Sequence, residues 1–112
     1  MGSIKGVQTL KTKREFDFVY KKGVAFHTPF FVLFYLHNKN RKVGFVASKK
    51  VGKAVKRNRA KRVLKALFIK NFEQFPTGEY VFVAKQKILE TDFKRLDQEM
   101  QNILNRIKRR KW

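Results

Sequence analysis

The chain has no cysteine, which excludes disulfides, thiolate–zinc centres and cysteine nucleophiles. Acidic residues are scarce, 8 Asp and Glu against 28 Lys and Arg, giving a formal charge of +20. With 2 prolines and 6 glycines there is no Pro- or Gly-rich linker, so residues 1–112 read as one domain, with 1–9 as a flexible arm. No apolar run approaches the ~18–20 residues that span a bilayer. The opening MGSIKG has no signal-peptide apolar region, and Gly6 stands where a myristoylation pattern needs Ser or Thr. The expected location is the cytoplasm.

What is present is apolar and basic. Hydrophobic residues make up 43% of the chain and 12 are Phe, enough for one core rather than a disordered basic tail. A charge of this size opposes compaction by self-repulsion and fits a polyanionic partner. Nucleic acid is the first candidate and an anionic membrane surface the second.

Thr12-x-x-Glu15 has the form of a capping box opening a helix over about 13–22, stopped by Gly23. Phe16, Val19 and Tyr20 share one face of it, and Phe18 points elsewhere. Strands are expected at 24–27, 30–37, 43–48 and 80–84, with turns at 37–41 and 75–79. Residues 54–72 suit a helix, with Ala60, Val63, Leu64, Leu67, Phe68 and Asn71 on one side and the cations toward the other. Thr91 is the expected cap of a last helix with an apolar stripe of Phe93, Leu96, Met100, Ile103 and Ile107. The basic end KRRKW reads as frayed. Helix, two or three strands, helix, strand, helix, without regular βαβ alternation, is an α+β class in which helices pack on a small sheet.

Side-chain catalysis finds little support. The eight acids make no metal-ligand spacing, and most suit helix ends and surface pairs. His27 and His37 flank one strand, too far apart to meet along it at ~3.3 Å per residue. Ser48 precedes two lysines but has no accompanying oxyanion motif, and no phosphate-cradling Gly-rich loop occurs. No catalytic residue is assigned, and metal binding by the protein is left open.

Binding features are stronger. Lys49, Lys50, Lys53, Lys56, Arg57, Arg59, Lys61, Arg62 and Lys65 crowd one segment, and no acid lies between Asp17 and Glu73. Like charges along a helix repel, so this face calls for a polyanion. Asn58 sits among them, and its amide both donates and accepts where lysine only donates. On the strand, Phe30, Val32, Phe34 and Leu36 alternate with Phe31, Leu33 and Tyr35, so both faces are apolar. Either helices cover both, or one face is a platform for unstacked bases. Core packing is the stronger reading of the two.

At KVGFVASKKVGKAVKRNRAKRVLKALF, residues 42–68, the sequence resembles the protein subunit of bacterial ribonuclease P. Ser48-Lys49-Lys50, Gly52, Ala54 and Arg57-Asn58-Arg59-x-Lys61-Arg62 stand in that family's order. KREFDFVYKKG resembles its first helix and GEYVFVAK its last strand. The resemblance covers about residues 10–107. It implies a small mixed sheet with packed helices, in the order helix, strands, helix, strand, helix, with a left-handed βαβ crossover. It implies a ribonucleoprotein endonuclease that removes the 5′ leader of precursor tRNA. There the RNA subunit is the catalyst, and the divalent metal, Mg²⁺, is bound mainly by that RNA, with no cofactor required by the protein alone. It also implies two surfaces. The basic residues Lys49 to Lys65 named above, with Asn58, would hold the catalytic RNA. A cleft of Phe16, Tyr20, Val32 and Phe34 would hold the precursor's leader. No membrane or protein partner is expected.

Three positions depart from the family. Phe34 stands where Tyr is frequent, removing a hydroxyl. Ala60 is smaller than usual. Lys65 stands where Arg is common, removing a bidentate fork. The rival readings are a non-catalytic RNA-binding module of ribosomal type, a free-standing metal nuclease and a membrane-surface protein.

Overall fold

Helix α1 (Lys13–Lys22) starts where the capping box places it. Thr12 Oγ1 accepts from Glu15 N at 3.2 Å, and Glu15 Oε1 accepts from Thr12 N at 3.0 Å and from Lys11 N at 3.1 Å. It ends at Gly23, whose N–H donates to Val19 O. A side chain at 23 would collide with the carbonyls of Val19 and Tyr35. The computed structural model describes residues 6–112, and residues 1–5 of the expected flexible arm lie outside them. The arm's other end is fixed. Gln8–Thr9 form a short strand, β1, parallel to Lys42 and Val43, and Leu10 behind it is 3% exposed.

Four further strands follow, β2 (Val24–His27), β3 (Phe31–Leu36), β4 (Arg41–Ala47) and β5 (Gly78–Ala84). They form one sheet in the order β1-β4-β5-β3-β2. β5 lies in its middle, parallel to β4 and antiparallel to β3. Helix α2 (Ala54–Lys70) carries the chain from β4 to β5, because parallel neighbours need a crossover connection. Helix α3 (Phe93–Arg109) completes an α+β domain that has three α-helices and five strands among the described residues.

Alternation sorts the sheet into two faces. Phe31, Leu33, Tyr35, Val43, Tyr80, Phe82 and Ala84 join Ala60, Leu64, Leu67 and Phe68 of α2 and Leu96, Met100, Ile103, Leu104 and Ile107 of α3 in the main core. The opposite face carries a smaller cluster of Leu10, Val19 and Val81 beneath α1. Both apolar faces of β3 are therefore covered, though unequally.

A polar knot clips α3 to the end of α2. Buried Asn71 donates to Leu67 O at 3.0 Å and to Asp97 Oδ1 at 2.9 Å, and accepts from Gln101 Nε2 at 2.7 Å. Lys70 pairs with Asp97 at 2.6 Å.

Three expectations change here. Asp92, not Thr91, caps α3, accepting from Arg95 N. Phe93 leaves the buried stripe and lies 5.8 Å under the Lys70 ammonium, and Leu104 takes a core place instead. The KRRKW end folds back. Trp112 Nε1 donates to Ile107 O at 2.9 Å, and its ring meets Tyr35 edge-on at 4.8 Å.

Phe82 is fully buried, with rings of Phe31, Phe45, Phe68 and Phe75 within 6.3 Å. Phe82→Ala should cost about 3–5 kcal/mol of stability through lost transfer energy and an unfilled cavity. Denaturant unfolding checks this, and a cost under about 1 kcal/mol would contradict the central place given to β5.

Candidate RNA-binding surfaces

Strand register turns the α1 face into three rows across the sheet. Val32 pairs with Val83 and Val83 with Val46; Phe34 pairs with Val81 and Val81 with Gly44; Leu36 pairs with Glu79 and Glu79 with Lys42. Helix α1 sits on the middle row. The Phe16 ring lies on the Gly44 backbone, where a Cβ would overlap Phe16 Cε1. Tyr20 meets Phe34 edge-on at 4.8 Å. The Leu36 row is closed by charge, since Lys42 reaches Glu15 of α1 at 3.6 Å and Glu79 is buried against the Asn38 amide.

The Val32 row lies outside the helix. Val46 and Val83 are half-buried, as are Phe16, Tyr20 and Phe34 beside them, while Val32 is 8% exposed. The four cleft residues expected from sequence thus share one site, with Val32 as floor rather than wall. Sequence reasoning missed Val46, Val83 and Gly44. Alternation alone put each on a definite face, but which face was shared with Phe34 depended on register. Burial, then the Asp17 charge, pushes the Tyr20 phenol up, so its hydroxyl stays protonated and able to donate at neutral pH. Phe18 is 51% exposed on the outer side of α1.

β4 runs from Val46 through Ala47 straight into the basic segment. Lys49–Val51 form one 3₁₀ turn, with Val51 buried as its anchor and Lys49 and Lys50 exposed. Gly52 has φ 138°, a left-handed conformation that needs glycine. Lys53 then occupies the N-cap of α2 without a side-chain cap, and the first turn holds no acid. The helix dipole and Lys49, Lys50, Lys53 and Lys56 therefore add at one place, which favours anions. Further along α2, Asn58, Arg59, Lys61 and Arg62 are exposed on one continuous surface.

Two members differ from the expected open face. Arg57 is half-buried, and its Nε is buried with no hydrogen-bond acceptor among the described residues. Lys65 is half-buried and engaged by a neighbour. By the 100° projection Arg57 falls beside Leu64 at the edge of the core-facing stripe, whereas Lys65 falls with Asn58 and Lys61 on the outer side.

Three of the carboxylates serve structure. Glu15 serves the α1 cap, Asp97 the Asn71 knot and Glu79 the Asn38 amide. Among the described residues no group of three or more His, Asp and Glu could hold a metal ion. No helix among them is long and apolar enough to cross a membrane.

A cationic helix face leading into a half-open apolar row, with no acid between Asp17 and Glu73 in the sequence, defines a small α+β RNA-binding protein. Residues 4–108 match the family model described as Ribonuclease P. The chain is 74% identical over 109 residues to the ribonuclease P protein component of a Nitratiruptor species, covering 97% of this chain and 100% of that one. It is 36% identical to that of Clostridioides difficile, over 87% of this chain and 89% of that one. Among solved structures, the RNase P protein of Thermotoga maritima superposes with a TM-score of 0.76 at 28% identity, over 88% of this chain and 96% of that one. That of Staphylococcus aureus gives 0.76 at 25% identity, over 89% and 94%.

The chain belongs to the ribonuclease P protein family. It is a protein component of that tRNA-processing endoribonuclease, which acts as a ribonucleoprotein.

The α1 cap has a pH signature. Backbone N–H donation from Lys11, then Thr12, holds Glu15 below its ordinary 4.5. A depressed carboxylate contributes stability that is fully present above the unfolded value and is lost as pH falls through the folded one. Asp97, lowered first by Lys70 and then by Asn71, acts in the same sense. Stability should therefore fall as pH drops below about 5, and Glu15→Gln should remove part of that fall while lowering stability at pH 7. Denaturant midpoints of the two proteins across pH check this. Parallel curves would contradict it.

Proposed function

We propose that the exposed face formed by Lys49, Lys50, Lys53, Lys56, Asn58, Arg59, Lys61 and Arg62, together with the half-buried Arg57 and Lys65, holds the catalytic RNA of ribonuclease P. The row of Phe16, Tyr20, Val32 and Phe34, extended by Val46 and Val83, holds the single-stranded 5′ leader of precursor tRNA. The observation that carries this reading is continuity: Val46, on the open row, lies two residues from Ser48, where the basic segment begins.

An RNA strand lying in the cleft places its bases on apolar side chains and leads its phosphates toward the cations. Stacking on aromatics tolerates any base, because every base has a π face. A leader site of this kind suits precursors of many sequences. Phe34 supplies ring surface without a hydroxyl, so hydrogen bonding at the cleft falls to Tyr20.

Hydrolysis resides in the RNA partner. Mg²⁺ is held mainly by RNA phosphates, and the protein's own part is to neutralise phosphate repulsion and position the substrate. The site of action is the cytoplasm, with neither a membrane nor a second protein required.

Cleavage of precursor tRNA by a bacterial ribonuclease P RNA at low Mg²⁺, with and without this protein, tests the reading. A marked rate gain is expected with both present and no cleavage by the protein alone. No gain would refute the reading, and cleavage by the protein alone would favour a metal nuclease. Phe16→Ala should weaken precursor binding at least ~10-fold while changing mature tRNA binding little, since stacking is worth about 1–3 kcal/mol per base. Equal loss for both would refute the leader site. Asn58→Lys should keep nonspecific RNA affinity but lower the preference for the RNA subunit over an unrelated RNA of equal length. An unchanged preference would make the Asn incidental.

A further inference from the structure

At the pole of the sheet opposite the α2 N-terminus, three side chains build an aromatic shelf that neither proposed surface uses. The two poles are separated by the length of β4, about 20 Å at ~3.3 Å per residue. Trp112 stacks on His37, with centroids 5.9 Å apart and planes at 20°, and meets the buried Tyr35 ring edge-on. It is 43% exposed. Its indole N–H is satisfied by Ile107 O, which fixes the ring.

The imidazole is fixed as well. Tyr35 Oη lies 2.7 Å from Thr77 O and 3.1 Å from His37 Nδ1. A carbonyl only accepts, so the single phenol proton goes to Thr77. His37 Nδ1 must then carry a proton and donate to Tyr35. Both stacked rings are thus held by hydrogen bonds at one edge, with no acid involved.

Cations surround the shelf. The Arg110 guanidinium lies 5.2 Å from the Trp112 ring centre. Thr77, the residue that anchors Tyr35, also lines a polar recess of about 350 Å³ with Lys39, Asn40 and Arg41. Arg41 is held in place over Phe72 at 5.5 Å. The acid at this turn, Glu79, is buried and accepts from the Asn38 amide.

We infer that this pole is a second, independent site for single-stranded RNA. An unpaired base stacks on Trp112, and the adjoining phosphates meet Arg110, Lys39 and Arg41. An exposed cation–π contact is weaker than base–aromatic stacking, so an arriving base displaces Arg110 from the ring and leaves it free to pair with a phosphate. The inference goes beyond the proposed function, because it uses no residue of the α2 face or the cleft.

Trp112 is the one tryptophan in the chain, so its emission reports the site directly. The probe is an oligoadenylate RNA of about six nucleotides, titrated at about 0.15 M salt. Saturable quenching is expected, and it should persist in Phe16→Ala and in Arg59→Ala/Arg62→Ala. Lys39→Ala/Arg110→Ala, two exposed positions whose loss leaves the core intact, should raise the Kd at least ~10-fold. With a fluorescently labelled probe, Trp112→Phe should bind more tightly than Trp112→Ala. Absence of quenching would overturn the inference. So would quenching that disappears in the Arg59/Arg62 variant yet survives in the Lys39/Arg110 variant, or equal quenching by inorganic polyphosphate, which carries charge without bases.

Discussion

The rest of the structure depends on the pairing of β5 between β4 and β3. Val81 and Phe82 on this strand point to opposite faces, and both are fully buried. A central strand apolar on both sides requires cover on both sides. The α2 and α3 helices provide it completely on one face. On the other, a single helix of 10 residues must suffice. Three side-chain rows at twice the strand rise span about 13 Å between their centres, while a helix with its side chains is about 10–12 Å across. Helix α1, seated on the middle row, therefore leaves an outer row partly uncovered. The cleft follows from this mismatch and needs no special loop to make it.

Gly44 sets how deeply the helix sits. With no Cβ there, the Phe16 ring rests directly on β4, and Tyr20 reaches Phe34 edge-on. Phe16 is thus both an anchor for α1 and part of the cleft wall. Its exposed part is held at a fixed height above the Val32–Val83–Val46 row. Such pre-organisation lowers the ordering cost when a flexible strand binds.

Much of this was legible in the sequence. The capping box at Thr12 and Glu15, the α2 stripe and the β3 alternation are local patterns, and each marks its element. β1 escaped because two residues carry no periodicity. Its pairing with β4 is a long-range fact. Phe93 and Thr91 were misplaced because the start of α3 turns on which of two adjacent residues, Thr91 or Asp92, caps it. The docking of Trp112 onto Tyr35 joins residues distant in sequence, and a run of cations before it gives no sign of a fold-back. The cleft residues were reached through family resemblance, and only register could add Val46, Val83 and Gly44 to them.

The scarcity of acids ties these features together. Two ion pairs, Lys42–Glu15 and Lys70–Asp97, each tie a helix to a neighbouring element. Glu15, Asp92 and Asp97 hold helices in place, Glu79 is buried, and no acid occurs in the sequence between Asp17 and Glu73. The exposed Lys56, Arg59, Lys61 and Arg62 of α2 thus keep a like-charge repulsion in the free protein. An RNA that relieves this repulsion gains affinity through counterion release, a force indifferent to sequence. Selectivity must then come from groups that are not point charges: the Asn58 amide, the aromatic rings beside α1, and the fixed spacing that β4 imposes between them.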